Sequence, residues 1–285
     1  MLADVLISNV YSHFIAKNAA LFKDKIVLDV GCRSGLLSIL AVESGAVKVF
    51  AVGNMQSAKH VTQLLADGEK AEIFEPLTGS LSQIRLPSGL RKVDIIVSEW
   101  MGNALFADSL FCDVIYARDK WLIKGGWIIP NIAQLYIVGI GSQLSCPKPL
   151  TSTPVDAYVE PESVLTQKFL LKNFNLNTAN EILEYFQVDF KLRALRKDKL
   201  CACLLYFEIG CTDAKGSLQK LFSIAPEAPR THLQPTLLFL QQVDDVADQE
   251  LVAGRFFLAL TEFSPRGVEF GLDIVRRPKT DVVLK

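Results

Sequence analysis

Short apolar runs alternate with segments of helical spacing through the first half of the chain. IVLDVG (26–31) is a buried-type run that ends in Gly31, and SGLLSILAVESG (34–45) carries helical spacing and stops on Gly45. KVFAVG (48–53) predicts the next strand and MQSAKHVTQLLADG (55–68) the next helix. AEIFEPL (71–77) and VDIIVSEW (93–100) follow as strands. ALFADSLFCDVIYARDKW (104–121) predicts a helix, with Leu110, Phe111, Val114 and Ile115 on one face. Strands alternating with helices predict a parallel, doubly wound sheet. After GGWIIPN (125–131) the period changes to two. VDFKLR (188–193) alternates strictly, as does GVEFGLDI (267–274), where Val268, Phe270, Leu272 and Ile274 share a side. CACLLYFEIG, PTLLFLQQV and LVAGRFFLALTEF are further strand candidates. This half predicts antiparallel β structure, a barrel or a sandwich, with the boundary near residue 130. No internal repeat or low-complexity segment interrupts either half.

Composition narrows the function classes. The 285 residues are 50% hydrophobic, enough for a large core, and the formal net charge of −1 gives no electrostatic reason to bind nucleic acid. MLADVLISNVYSHF lacks the basic start and apolar run of a signal peptide, and no stretch reaches the ~18 apolar residues of a membrane span. The six cysteines, at 32, 112, 146, 201, 203 and 211, form no CxxC pair. That predicts a reduced intracellular protein, cytoplasmic or nuclear, with neither zinc nor a disulfide framework. The basic cluster Lys191, Arg193, Arg196, Lys197 and Lys199 reads as a solvated strand and turn, with an acidic partner as the sharper reading.

Two stretches carry candidate chemistry. LDVGCRSG (28–35) joins the first strand to the first helix, where a glycine-rich turn lets backbone approach a nucleotide and the helix start offers free N–H groups. Its middle position is Arg33, whose side chain crowds whatever the loop cradles. The second strand, which in such sites ends in an acid for ribose hydroxyls, ends here in Gly53. VSEWMGNALFADSL (97–110) places Glu99 at the carboxyl end of a buried strand and Asp108 nine residues later, on the predicted following helix. Glu99 as a surface acid at a strand end, Asp108 as an acid favouring a helix dipole, and His232 as an ordinary loop histidine are the plain alternatives. His13 and His60 have no chemical context.

GCRSGLLS, SEWMG, the acid at 108, GGWIIPN and THLQPT (231–236), in this order, resemble a protein arginine methyltransferase. The likeness runs from about residue 1 to 275. It implies a Rossmann-like S-adenosylmethionine domain, residues 1–130, followed by a β-barrel substrate domain, residues 131–285, acting on arginine-containing proteins. It implies that Glu99 and Asp108 grip the substrate guanidinium, a planar, always-charged group suited to bidentate carboxylates. Catalysis is then mainly orientation and electrostatics. Asp108 stands where the family has a second Glu, shorter by one methylene, roughly 1.5 Å of reach. Met101 matches a residue packed beside the substrate nitrogen. His232 matches the His of the family's THW loop, with Leu233 in place of Trp. On the cofactor side the resemblance implicates Asp29, Gly31, Arg33, Gly35, Gly53 and Ser82, and no metal.

Here the pattern departs from the family. The arginine that binds the methionine carboxylate aligns with Ile7, the middle glycine with Arg33, the ribose acid with Gly53 and the acid near adenine with Ser82. An additional N-terminal helix before this start is expected to be missing. LYIVGIGSQLSCPKPL (135–150) leaves little room for the family's dimerisation arm, so a monomer or another interface is expected. Three lost contacts of about 1.5 kcal/mol each, if additive, weaken cofactor binding on the order of 1000-fold. Arg33 swinging inward to hold the methionine carboxylate is the compensating arrangement. Two readings follow: a methyltransferase for arginine in Gly/Arg-rich or histone-like partners, or an impaired paralogue that binds peptides or a related active methyltransferase.

Overall fold

The computed structural model describes residues 4–53, 55–65, 69–87, 89–143, 154–179, 185–212, 216–260 and 267–275. Helix α1 (Val5–Lys17) opens the fold; Ile7, Tyr11, Phe14 and Ile15 recur at helical spacing and are buried. Strands β1 (Ile26–Cys32), β2 (Lys48–Gly53), β3 (Phe74–Leu77), β4 (Val93–Val97) and β5 (Leu122–Ile129) form one sheet in the order β3-β2-β1-β4-β5. Every neighbouring pair in it is parallel. Helices α2 (Leu36–Glu43), α3 (Met55–Leu65) and α4 (Phe111–Trp121) are the connections. The order reverses between β1 and β4, so the crevice beyond the carboxyl ends of those two strands is where this topology accepts ligands.

From Ile132 onward the pairing is antiparallel. β6 (Ile132–Ile140), β7 (Val155–Asp156), β8 (Phe169–Asn175), β10 (Asp198–Thr212), β11 (Leu218–Ser223) and β12 (Thr236–Val246) make one sheet, ordered β7-β12-β10-β6-β8 with β11 also on β10. β9 (Tyr185–Arg193), β13 (Leu251–Leu260) and β14 (Val268–Val275) make a second, ordered β14-β13-β9. A Thr166–Ala194 bridge and the bonds Gln167 N–H to Arg193 O and Leu195 N–H to Leu165 O stitch the sheets together. The result is barrel-like. Among the described residues β12 and β14 do not pair, and an open cleft of about 570 Å³ lies between them, lined by Phe239, Gln241, Phe270 and Leu272.

Two element limits differ from the sequence pattern. The strand read over 93–100 stops at Val97, and the helix read over 104–121 starts at Phe111. Residues 98–110 are a folded loop. Leu105, Phe106 and Leu110 are buried there and mimic a helical face by spacing alone. α1 has no counterpart among the elements read from the pattern. The expectation about the dimerisation arm falls on residues 144–153, which lie outside the described residues; β6 ends at Ile140 and β7 begins at Val155. Among the described residues, no helix is long and apolar enough to cross a membrane. Of the basic cluster, Lys191, Arg193, Lys197 and Lys199 are exposed and Arg196 is half-buried.

Candidate active site

The β1–α2 loop is shaped for close backbone approach. Gly31 has φ +81°, and a Cβ there would stand 2.1 Å from Leu110 Cδ1; Gly35, the N-cap of α2, has φ +80°, and its Cβ would stand 1.8 Å from Val61 Cγ2. The left-handed backbone favours glycine at both positions, and at Gly35 the short, stiff Val61 side chain also leaves no space for a Cβ. Asp29 lies buried beneath the loop, where Ser38 Oγ–H of α2 donates to its Oδ2 at 2.6 Å. Burial pushes the Asp29 carboxyl up to about 6 against the pull of Ser38, and the Glu99 charge adds to the rise. Its carboxylate is thus turned to α2, and it holds the loop from below. Arg33 is exposed at the loop's apex between the two glycines.

Gly53 is a structural demand as well as a missing acid. β1 bulges between Val30 and Cys32, and a Cβ at Gly53 would sit 2.2 Å from the Cys32 carbonyl oxygen. No side chain fits on this backbone. Ser82 is exposed in the turn after β3, its hydroxyl 3.0 Å from that of Ser80. Ile7 is fully buried in the core.

The 98–110 loop starts from β4 beside this crevice. Ser98 Oγ–H donates to Val30 O at 2.7 Å, which ties the end of β4 to the end of β1. Trp100 is fully buried, its Nε1–H donating to Pro130 O at 3.2 Å. Gly102 and Leu105 exchange backbone hydrogen bonds, as do Asn103 and Ala107, so the loop is a small hairpin. Ala104, Leu105 and Asp108 have φ of 45°, 76° and 55°. Such non-glycine residues cost about 1–3 kcal/mol each. Burial of Met101, Leu105 and Phe106 offsets this at about 1.5–3 kcal/mol per side chain. Asp108 therefore sits in the hairpin's returning limb, exposed, and not on the helix that the sequence pattern predicts for it. Glu99 is its opposite, only 6% exposed.

His232, in the segment between β11 and β12, stands between two acids. Its Nδ1 lies 2.8 Å from Asp4 Oδ2, which also accepts the His232 backbone N–H at 2.7 Å. Its Nε2 lies 3.2 Å from Glu99 Oε1, off the N–H direction, so Oε1 keeps no aligned donor. The row Asp4–His232–Glu99 draws on α1, the β11–β12 segment and the end of β4. The Glu99 contact, then Asp4, raise the imidazole pKa above its ordinary value against the effect of burial. For Asp4, burial pushes upward, but the His232 and Ile7 N–H groups and the imidazole outweigh it and hold the carboxyl below the usual range. A second buried polar atom, Tyr11 OH, also lacks a partner. Burial and then the nearby Glu99 and Cys211 drive its pKa well up.

Of the residues expected from sequence, the structure brings Glu99 and His232 into contact and buries Met101, two residues after Glu99, in the core. Asp4 and Tyr11 were not anticipated. Asp4 carried one readable signal, an Asp at N-cap position before an apolar periodic segment, its Oδ1 accepting Ile7 N–H at 3.1 Å. Its partner is 228 residues away, beyond any local pattern. The residues present fit a nucleoside-bearing cofactor through the Gly31–Gly35 cradle, and the unpartnered Glu99 Oε1 and Tyr11 OH leave hydrogen-bonding capacity for a polar ligand.

Comparison with known proteins agrees. The family model described as the arginine methyltransferase oligomerization subdomain matches residues 133–274, and that of ribosomal protein L11 methyltransferase matches residues 14–129. The probable protein arginine N-methyltransferase 1.2 of Arabidopsis thaliana is 33% identical over 95% of this chain and 78% of its own length. Protein arginine N-methyltransferase 1 of Caenorhabditis elegans is 32% identical over 95% of this chain and 83% of its own. Among solved structures, the Trypanosoma brucei PRMT1 enzyme-prozyme heterotetrameric complex with AdoHcy contains a chain 27% identical, with a TM-score of 0.87, covering 98% of this chain and 92% of that one. Arabidopsis protein arginine methyltransferase 10 shares the fold at a TM-score of 0.86, over 96% of this chain and 90% of that one. With relatives a third identical along nearly its whole length and the fold shared with a solved relative, the chain belongs to the protein arginine N-methyltransferase family.

Proposed function

We propose that this chain transfers a methyl group from S-adenosylmethionine to a guanidinium nitrogen of arginine in a protein substrate, with Glu99 as the acid that binds and aims it. One observation carries the reading: a buried carboxylate at the sheet's switch point, whose Oε1 meets only the His232 imidazole, at 3.2 Å and without hydrogen-bond alignment, with that histidine backed by a second acid. When bound, S-adenosylmethionine would supply an electrophilic methyl on its sulfonium, with sulfur keeping the carbon–sulfur electron pair. The protein's part is orientation. Glu99, nearly buried, accepts guanidinium N–H bonds where little water screens its charge. Asp108, at the exposed rim, is the second acid, and Met101 the apolar neighbour. The nitrogen that forms the new bond to carbon must shed a proton. His232 Nε2 takes it in the neutral imidazole form, with the Nδ1 proton held on Asp4.

For the cofactor, Gly31 and Gly35 would admit the methionine and ribose backbone side, while Asp29, Gly53 and Ser82 complete the loop edge without a direct acid. Arg33 is proposed to swing inward to the methionine carboxylate in place of Ile7. Substrates are proposed to be arginines in Gly/Arg-rich or histone-like proteins, in cytoplasm or nucleus. Nucleic-acid binding is not expected. The domain division at about residue 130, and an assembly that does not use a family-type arm, remain part of the proposal.

Titration calorimetry of the full chain with S-adenosylmethionine and S-adenosylhomocysteine, followed by mass spectrometry of an arginine-rich peptide, tests it. Binding and a 14-Da peptide increment, lost in Glu99→Gln, are expected. No binding at millimolar ligand and no increment overturn it, and leave the chain as a binding partner of peptides or of a related active methyltransferase. The heterotetrameric enzyme-prozyme assembly of the trypanosome relative supplies the precedent for that second reading.

A further inference from the structure

The hairpin that presents Glu99 is held from two sides. Its inner side is anchored by Trp100 and Phe106 in the core. Its outer side is tied to the barrel through one carboxylate. Asn103 Nδ2–H donates to Asp156 Oδ2 at 2.6 Å, and Thr236 Oγ1–H donates to Asp156 Oδ1 at 2.6 Å. Asp156 and Thr236 are also register partners where β7 meets β12. Thr236 closes the segment that carries His232. The residues after Asp156 continue along that segment: Ala157 N–H donates to Pro235 O at 3.0 Å, Tyr158 OH donates to Thr231 O, and Glu160 pairs with Arg230 at 2.7 Å.

We propose that Asp156 is a positioning residue for methyl transfer: its carboxylate ties Asn103 of the Glu99 hairpin to Thr236 at the root of the His232 segment, fixing the separation of acid and imidazole. The proposal rests on the reading of Glu99 and His232 given above. A carboxylate suits the task because its two oxygens serve two donors at once, and amide or hydroxyl bonds to a charged oxygen are short and directional. The hairpin needs an external tie, because Ala104, Leu105 and Asp108 hold left-handed backbone that a free loop would relax. Asn103 and Asp156 are exposed, so the Asn103 link adds little to global stability, whereas Thr236 is buried and loses its acceptor when Asp156 is truncated. The tie's effect is on geometry, and a displacement of about 1 Å in a reacting group can cost on the order of 100-fold in rate.

The test uses the full chain and four variants: Asn103→Ala, Asp156→Ala, Asp156→Asn and the double alanine. Peptide methylation kinetics, cofactor affinity, melting temperature and hydrogen exchange at the Leu105 and Ala107 amides are read for each. Asn103→Ala and Asp156→Ala are each expected to lower kcat by roughly tenfold with cofactor affinity unchanged; melting temperature should hold in Asn103→Ala and fall by a few degrees in Asp156→Ala, which also strips the acceptor from buried Thr236. Asp156→Asn should fall between, since its oxygen can still accept from Thr236 while its amide confronts that of Asn103. The double variant should lose no more than Asp156→Ala alone, because both single changes cut one link. Wild-type kcat in the single variants, or a double variant equal to the product of the singles, overturns the proposal. If the wild type transfers no methyl, the activity reading fails separately and exchange decides the brace: faster exchange at Leu105 and Ala107 in Asn103→Ala and Asp156→Ala supports it, and unchanged exchange overturns it.

Discussion

The two halves of the ligand crevice have been treated differently. On the proposed substrate side, Glu99, Asp4 and Tyr11 are buried and His232, more than a third exposed, stands between the two acids, with hydrogen-bonding capacity left at Tyr11 OH. On the cofactor side, the glycine cradle is intact, yet the charged groups expected around it are replaced by a buried Ile7 and by Gly53, with Cys32 O against its face. Both sides stand on one sheet edge and one core, so the difference is not one of fold. It is the difference between a site that presents both geometry and charge and one that presents geometry with little charge. Polar groups buried without partners are costly. A polar ligand that satisfies them is therefore proposed for the substrate side, and recognition through backbone and shape is proposed for the other.

The largest expected break in this contrast is Glu99→Gln. The change keeps shape and removes the charge facing the guanidinium, and kcat/KM for peptide methylation should fall on the order of 1000-fold, about 4 kcal/mol. Cofactor affinity measured by calorimetry should stay within about twofold. An equal loss in both would merge the two sides into one unit and end the contrast.

Ile7→Arg sharpens it from the other side. Adding the cation that the family places there should tighten S-adenosylhomocysteine binding by roughly tenfold, the worth of one charged hydrogen bond. The same change should lower the melting temperature of the ligand-free chain, because Ile7 is fully buried and an unpaired cation there is penalised. Melting with and without ligand separates the two effects. A stabilised ligand-free protein, or unchanged affinity, would show that Arg33 or another group already fills the role.

Much of this was legible in sequence, and the illegible parts have physical reasons. The parallel sheet, the glycine cradle and Glu99 at a strand's end follow from local periodicity and from the SEWMG and THLQPT stretches. Asp108 was misplaced onto a helix because Leu105, Phe106 and Leu110 repeat at a spacing that both a helix and a core-anchored hairpin satisfy. Gly53 was legible as a missing acid, but its contact with the Cys32 carbonyl depends on a bulge between neighbouring strands that no single strand encodes. Asp4 and Asp156 act on partners 228 and 53 residues away, and one-dimensional patterns carry no record of such pairings.

The smallest and subtlest expected effect belongs to His232, because its two ring nitrogens touch both acids of the array. Its pKa is raised, chiefly by Glu99, so the folded protein holds the imidazolium proton more tightly than the unfolded chain does, whose histidine titrates near 6.5. The stabilisation is therefore fully present below about pH 6.5 and is lost as pH rises through the raised folded value. The imidazole is more than a third exposed, so the slope in melting temperature should be shallow. Catalysis runs the other way: Nε2 accepts a proton only after the imidazolium has lost its own, so kcat should climb over the same interval in which stability declines. A pH series of melting temperature and kcat, repeated with His232→Gln, reads both. In the variant the stability slope above pH 6.5 should flatten and the climbing limb of kcat should disappear. If the limb survives, the proton leaves by way of Glu99 or solvent, and His232 serves only to hold Asp4 and Glu99 in register.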